Sequence, residues 1–116
     1  YSATTTASVF DAVMAELSTW REQPELRLVK DYHRDDAWLD AMEARLRAHW
    51  DLHGRGDRLL LSFHGIPQRF VRDGDPYARQ CEASAKAIAA RLGLSDAEWQ
   101  LTYQSRFGRE PWLQPY

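Results

Sequence analysis

The 116 residues contain one cysteine, six glycines and five prolines. A single thiol, Cys81, closes no internal disulfide and builds no cysteine-rich metal site, which fits a reducing compartment and makes the cytoplasm the expected location. Charge of one sign is also missing. Lys and Arg total 15 against 17 for Asp and Glu, a formal charge of −2, so there is no basic field to hold a polyanion and nucleic acid is not an expected partner. No apolar run approaches the roughly 20 residues that span a bilayer, and no charged-then-apolar leader comes before the first helical pattern. A peripheral membrane contact stays open. What the chain does have is 44% apolar residues, enough for the core of one domain or of a piece of one. It starts with Tyr1 instead of methionine and stops in "EPWLQPY", which reads as a segment of a longer chain.

Apolar residues at Val9, Phe10, Val13, Met14, Leu17 and Trp20 recur at helical spacing, with Ser8 and Asp11 suited to cap the start and Pro24 to end the helix. "LRLVKDY" (26–32) reads as a strand, and "HRDD" supplies the turn into a second helix striped by Trp38, Leu39, Met42 and Leu46 and stopped near Gly54 and Gly56. "RLLLSF" is a strand whose near-continuous apolar run predicts cover on both faces. In "DGDPYARQCEASAKAIAARLG", Asp75 is placed to cap, Pro76 to open the helix, Tyr77, Cys81, Ile88 and Leu92 to form its stripe, and Gly93 to end it. "EWQLTYQ" alternates as a third strand. This cadence of helices and strands predicts an α/β fold: a parallel sheet flanked by helices on both sides, doubly wound with right-handed crossovers.

Several residues carry chemistry, each beside a plainer role. His64 follows the carboxyl end of a buried parallel strand, the edge where open α/β sheets bind ligands. Its imidazole is either a proton acceptor or metal ligand, or an ordinary hydrogen-bonded turn residue. Gly65 allows close approach of a ligand or simply makes the turn. His49 and His53, four apart on a helix, have zinc-chelating spacing, but near a helix end the favourable dipole is the better reason for them. "YSATTTAS" sets hydroxyls ahead of a helix start, where Ser2, Thr4, Thr5 and Thr6 either line a pocket mouth and hold an anion on free N–H groups, or simply cap the helix. "YQSRFGREPWL" brings Arg106, Arg109, Glu110 and Trp112 to the edge that holds His64, where arginines can meet carboxylates and an indole can stack on a flat ring. As solvated charges with one packing aromatic they need no ligand. Cys81, on an apolar stripe, reads as a small buried hydrophobe.

Taken together, "LLLSFHGIPQRFVRDGDPYARQCEASAKAIAARLGL" and "WQLTYQSRFGREPWLQPY" resemble ferrochelatase, the family that inserts ferrous iron into protoporphyrin IX to form protohaem in haem biosynthesis. S-x-H-x-x-P at the strand end, the G-D-P-Y helix start, Q-S-R-F-G-R-E-P-W-L and "YSATTT" carry the resemblance over essentially the whole chain. It implies a chelatase-like lyase fold, incomplete at both ends here. Residues 1–23 would be the exit helix of the first half, and 24–116 most of the second half, with three of its four strands. It implies His64 as the active-site histidine, holding iron or accepting a pyrrole proton, Trp112 as an aromatic lining the porphyrin cleft, and Ser2 and Thr4 as part of a segment beside it. Ferrous iron would be a substrate, with no organic cofactor, and the partners would be protoporphyrin IX and the remaining halves of the same enzyme. The family's acidic partner, a glutamate in a motif resembling S-D-x-x-E-T, is not found in these 116 residues, so the isolated segment is expected to be inactive. A chelatase loading cobalt or nickel into another tetrapyrrole, or a flavodoxin-like anion-binding module without catalysis, would share the same cadence.

Overall fold

Tyr77, Cys81, Ala85, Ile88 and Leu92 fall on one helical stripe, and all five are buried. They face inward from α4 (Tyr77–Leu92), the helix around which the rest is arranged. Burying a side chain such as Ile88 is worth about 1.5–3 kcal/mol relative to exposure. The computed structural model describes residues 2–116. Its other elements are α1 (Ala3–Leu17), α2 (Asp36–His53), β1 (Leu59–His64), α3 (Gln68–Arg72) and β2 (Trp99–Gln104). β1 and β2 pair in parallel, with Leu59 opposite Trp99 and His64 opposite Gln104. The architecture is the expected α/β type: a parallel two-stranded sheet with flanking helices, the strands joined through α4.

Side chains of a strand alternate between faces, so Leu59, Leu61 and Phe63 share one face of β1. They meet Leu39, Met42, Leu46 and Trp50 of α2 and Ala85, Ile88 and Leu92 of α4 in one apolar cluster. A second cluster, at the carboxyl end of the strands, joins Ile66, Tyr77, Cys81 and Tyr103 to Phe70 and Leu113. Cys81 has no exposed surface and sits inside this cluster. α4 ends on Gly93, whose φ of +69° is left-handed, a conformation that costs glycine nothing. Asp75 takes the capping role expected of it: its Oδ1 accepts the Tyr77 N–H at 2.9 Å, with Pro76 just outside the helix.

Four expectations change. Segment 26–32 is not a strand; it runs without regular structure, and Val29 is 70% exposed. Its β-branched, apolar composition suits a strand, but strand N–H and C=O groups need a neighbouring edge, and among the described residues none lies beside it. β1 is covered on one face only: Leu60, Ser62 and His64 on the other are exposed, since both α2 and α4 pack on the Leu61 side. α1 starts at Ala3, with Ser2 as its cap, and ends at Leu17. Ser8 is therefore inside the helix, its Oγ donating to Thr4 O at 2.9 Å. The early end has a local cause, because Ser18, Thr19 and Gln23 side chains donate to the carbonyls of Ala15, Glu16 and Leu17 and so satisfy the last turn. The short α3 lies where the sequence pattern predicts no element, since five residues show no period.

None of the fifteen residues of α1 is buried. The radius of gyration is 17.6 Å, against about 13 Å for a compact chain of this size. α1 thus lies outside the packed core, while the irregular segment after it returns to the core at His33, whose carbonyl accepts from the buried Ser84 hydroxyl at 2.9 Å. Among the described residues no helix is long and apolar enough to cross a membrane.

Candidate active site

β1 delivers His64 to the carboxyl edge of the sheet, and the chain then turns through Gly65 into Ile66 and Pro67. The turn is tight because a second segment lies against it. Pro67 and Trp112 form an antiparallel bridge, Gln68 N donates to Pro111 O at 2.9 Å and Leu113 N to Ile66 O at 3.0 Å, and Gln68 Nε2 donates to Trp112 O at 3.1 Å. Gly65 N donates to Gln104 O at 2.8 Å, extending the parallel ladder one residue past β1. The loop after β2 is tied down as well, through an Arg69–Glu110 ion pair at 2.9 Å.

These ties enclose a cleft of about 330 Å³. Its lining joins the His64–Ile66 turn, Phe70 and Tyr77, the Ser2–Thr5 segment, and the aromatic pair Trp112 and Phe107. Trp112 is 3% exposed. Phe107, 74% exposed, tilts against it with ring centroids 4.9 Å apart. Ser105 and Gly108, on either side of Phe107, both have left-handed φ values of +69° and +74°; at Ser105 such a backbone is uncommon for a residue with a side chain.

His64 Nδ1 lies 2.7 Å from the Gly65 carbonyl oxygen. A carbonyl oxygen can only accept, so Nδ1 donates in this contact, which in a neutral ring leaves the lone pair on Nε2. Among the described residues no three His, Cys, Asp or Glu side chains come together as a metal-holding group. His64 therefore meets the cleft as a single imidazole in apolar surroundings.

The structure brings His64, Trp112, Ser2 and Thr4 to this one cleft, although residues 2 and 112 are at opposite ends of the chain. The anion held by the α1 N-terminus is internal: the Asp75 carboxylate accepts from Ser2 Oγ and Thr4 Oγ1, both at 3.1 Å, and from Thr4 N at 3.2 Å and Ala3 N at 3.4 Å. Burial raises the Asp75 pKa, but the Tyr77 N–H and the donors from Thr4, Ser2 and Ala3 outweigh it and hold the carboxyl below its ordinary value. Arg106 and Arg109 do not line the cleft; the Arg106 guanidinium lies over the Tyr116 ring. His49 and His53 do come together, with ring centroids 4.6 Å apart on the last turns of α2, but they do not line the cleft and have no third ligand among the described residues. Phe107 and Phe70 are cleft residues that the sequence pattern does not single out, and Tyr77, expected only on the α4 stripe, lines the cleft as well. The signal for Phe107 is an aromatic set between charged residues in a loop, where no core requires it.

A family model described as Ferrochelatase matches residues 1–116. The chain is 53% identical over 116 residues to the protein named Ferrochelatase of Nitrosococcus oceani, covering all of this chain and 32% of that relative. It is 56% identical to the protein of the same name of Methylococcus capsulatus, covering 36% of it, and 53% identical to that of Thioalkalivibrio sulfidiphilus, covering 31%. The chain thus spans about a third of the length of the curated relatives it matches. With the match running from the first residue to the last, through the histidine turn and the tryptophan strap alike, the chain belongs to the ferrochelatase family.

Proposed function

We propose that this chain is the part of a cytoplasmic ferrochelatase, a lyase of haem biosynthesis, that supplies His64 and one aromatic side of the porphyrin cleft. Protoporphyrin IX and ferrous iron are the substrates, protohaem and two protons the products. No organic cofactor is needed for that balance, since both pyrrole N–H bonds break to leave their electron pairs on nitrogen for the incoming iron. The observation that carries the reading is an imidazole, its Nδ1 held by the Gly65 carbonyl, lining a cleft shared with Trp112 and Phe107.

A flat macrocycle is recognised by surfaces that stack: Phe107, 74% exposed, offers such a face with the buried Trp112 indole behind it, and an aromatic contact adds about 0.5–1.5 kcal/mol beyond simple burial. Contacts of this kind can hold the ring in a bent shape that exposes its nitrogen lone pairs, at a strain of about 1–5 kcal/mol. His64 then takes a pyrrole proton on Nε2 or gives that same lone pair to iron. One lone pair cannot do both at once, so the two roles are separate steps or alternatives. The remaining two thirds of the enzyme close the cleft and supply the acidic partner. The apolar side chains left exposed on α1, Val9 and Met14, suit contact with those parts, and a peripheral membrane contact is compatible with the same exposure.

The test is iron insertion by the full-length protein, followed anaerobically by the absorbance change from free porphyrin to haem. Ferrous iron with protoporphyrin IX is expected to outcompete cobalt, nickel and other tetrapyrroles. Preference for cobalt or nickel, or a tightly retained flavin with no metal insertion, would replace this reading by one of the other two.

A further inference from the structure

α1 and its cap contribute three cleft residues, Ser2, Thr4 and Thr5; Ser2 is buried, yet the helix buries none of its own residues from Ala3 to Leu17. Something other than core packing must set where that wall stands. The best-bonded link between the start of α1 and the packed body is the Asp75 carboxylate, 71 to 73 residues away along the chain. Its Oδ2 receives Ser2 Oγ, Thr4 Oγ1 and Thr4 N, while its Oδ1 receives Ala3 N and Tyr77 N. One carboxylate thereby closes the first turns of two helices, α1 and α4. Both ends present unsatisfied N–H groups and the positive pole of a helix dipole, so a negative charge between them is stabilised from two sides. Asp75 does not itself line the cleft. It joins the wall that carries Ser2 and Thr4 to the helix that carries Tyr77, another cleft residue.

We propose that Asp75 is a positioning residue for the porphyrin cleft: by clasping the N-termini of α1 and α4 it sets the width between the Ser2–Thr5 wall and the His64–Tyr77 side. This rests on the porphyrin reading above. Loss of the clasp leaves the α4 core in place and frees α1, whose own packing is too slight to hold it. Asn caps a helix about as well as Asp, so Asp75→Asn keeps an acceptor for the Tyr77 N–H while removing the charge and one of the two acceptor oxygens.

In the full-length enzyme, Asp75→Asn is expected to raise KM for protoporphyrin about tenfold, with a smaller change in kcat and an unchanged KM for iron. The double variant Ser2→Ala, Thr4→Val removes the hydroxyl donors from the other side and is expected to shift porphyrin KM alike. Combining all three substitutions is expected to add nothing further, because they break one link. Amide exchange at Thr4, Thr5 and Thr6 should speed up in each variant, with α4 still protected. An unchanged porphyrin KM in Asp75→Asn, or additive shifts in the combined variant, overturns the proposal. Failure of the unmodified enzyme to insert iron into porphyrin sinks the functional reading instead. Should Asp75→Asn not fold, Asp75→Glu, which keeps the charge but displaces the carboxylate without touching the cleft lining, decides by the same porphyrin KM and exchange measurements.

Discussion

Gly65 and Trp112 lie directly against each other: a Cβ on Gly65 would stand 3.3 Å from Trp112 Cε3, and 3.0 Å from Gln104 O. The carbonyl cannot retreat, since it accepts the Gly65 N–H at 2.8 Å at the end of the parallel ladder. The glycine is thus required for space.

Gly65→Ala must push the indole or the β1 turn aside. Overpacking of this kind costs about 1–3 kcal/mol. A fall in stability of that size in denaturant unfolding of the full-length protein, with weakened porphyrin binding, is the expected result; an unchanged midpoint would mean that the strap carrying Trp112 shifts freely.

His64 is exposed and outside both apolar clusters, so its removal has no core cost. In the full-length enzyme His64→Ala is expected to abolish iron insertion while stability stays within about 0.5 kcal/mol. Near-normal turnover would remove the imidazole from the chemistry.

Trp112, by contrast, is packed on nearly every side. Trp112→Ala is expected to cost about 3–5 kcal/mol, and Trp112→Phe less, because part of the ring contact with Phe107 survives. If thermal unfolding puts the two variants level, the contact with Phe107 and the Gly65 turn contributes little. Porphyrin fluorescence titration should rank their affinities in the same order.

The depressed pKa of Asp75 gives the α1 clasp a direction in pH. A carboxyl whose folded pKa lies below the unfolded value, about 3.9, contributes stability that is present above that value and is lost as pH falls through the folded pKa. Acidification below about pH 4 is therefore expected to release the first turn of α1. Amide exchange at Thr4 to Thr6, corrected for intrinsic rates, should accelerate there, and Asp75→Asn should lack that extra step. An identical pH response in both proteins would assign the acid sensitivity to another group.

Glu98 titrates with the same sign, held below the ordinary glutamate range chiefly by the Ser95 N–H and hydroxyl. Its position at the surface beside Arg55 makes it a solvated turn contact.

Local pattern sufficed where an element's own residues decide its form. The stripe of α4, its Asp75 cap and Gly93 stop, the paired strands β1 and β2, and the placement of His64 at the carboxyl edge all follow from spacing and capping chemistry, which act within a few residues. The resemblance in "SFHGIP" and "QSRFGREPWL" pointed to the family for the same reason, since those motifs are contiguous. Tertiary structure decided what depends on a distant partner. "LRLVKDY" has strand-forming residues but no edge to pair with, and β1 is covered on one face because both neighbouring helices pack on that side. Ser2 and Thr4 turn toward Asp75, and Trp112 closes on Gly65, across separations of 47 or more residues that no local pattern encodes. Propensity is a property of the nearest few residues. Whether a backbone edge or a hydroxyl finds its partner depends on which distant segment the packed core brings beside it.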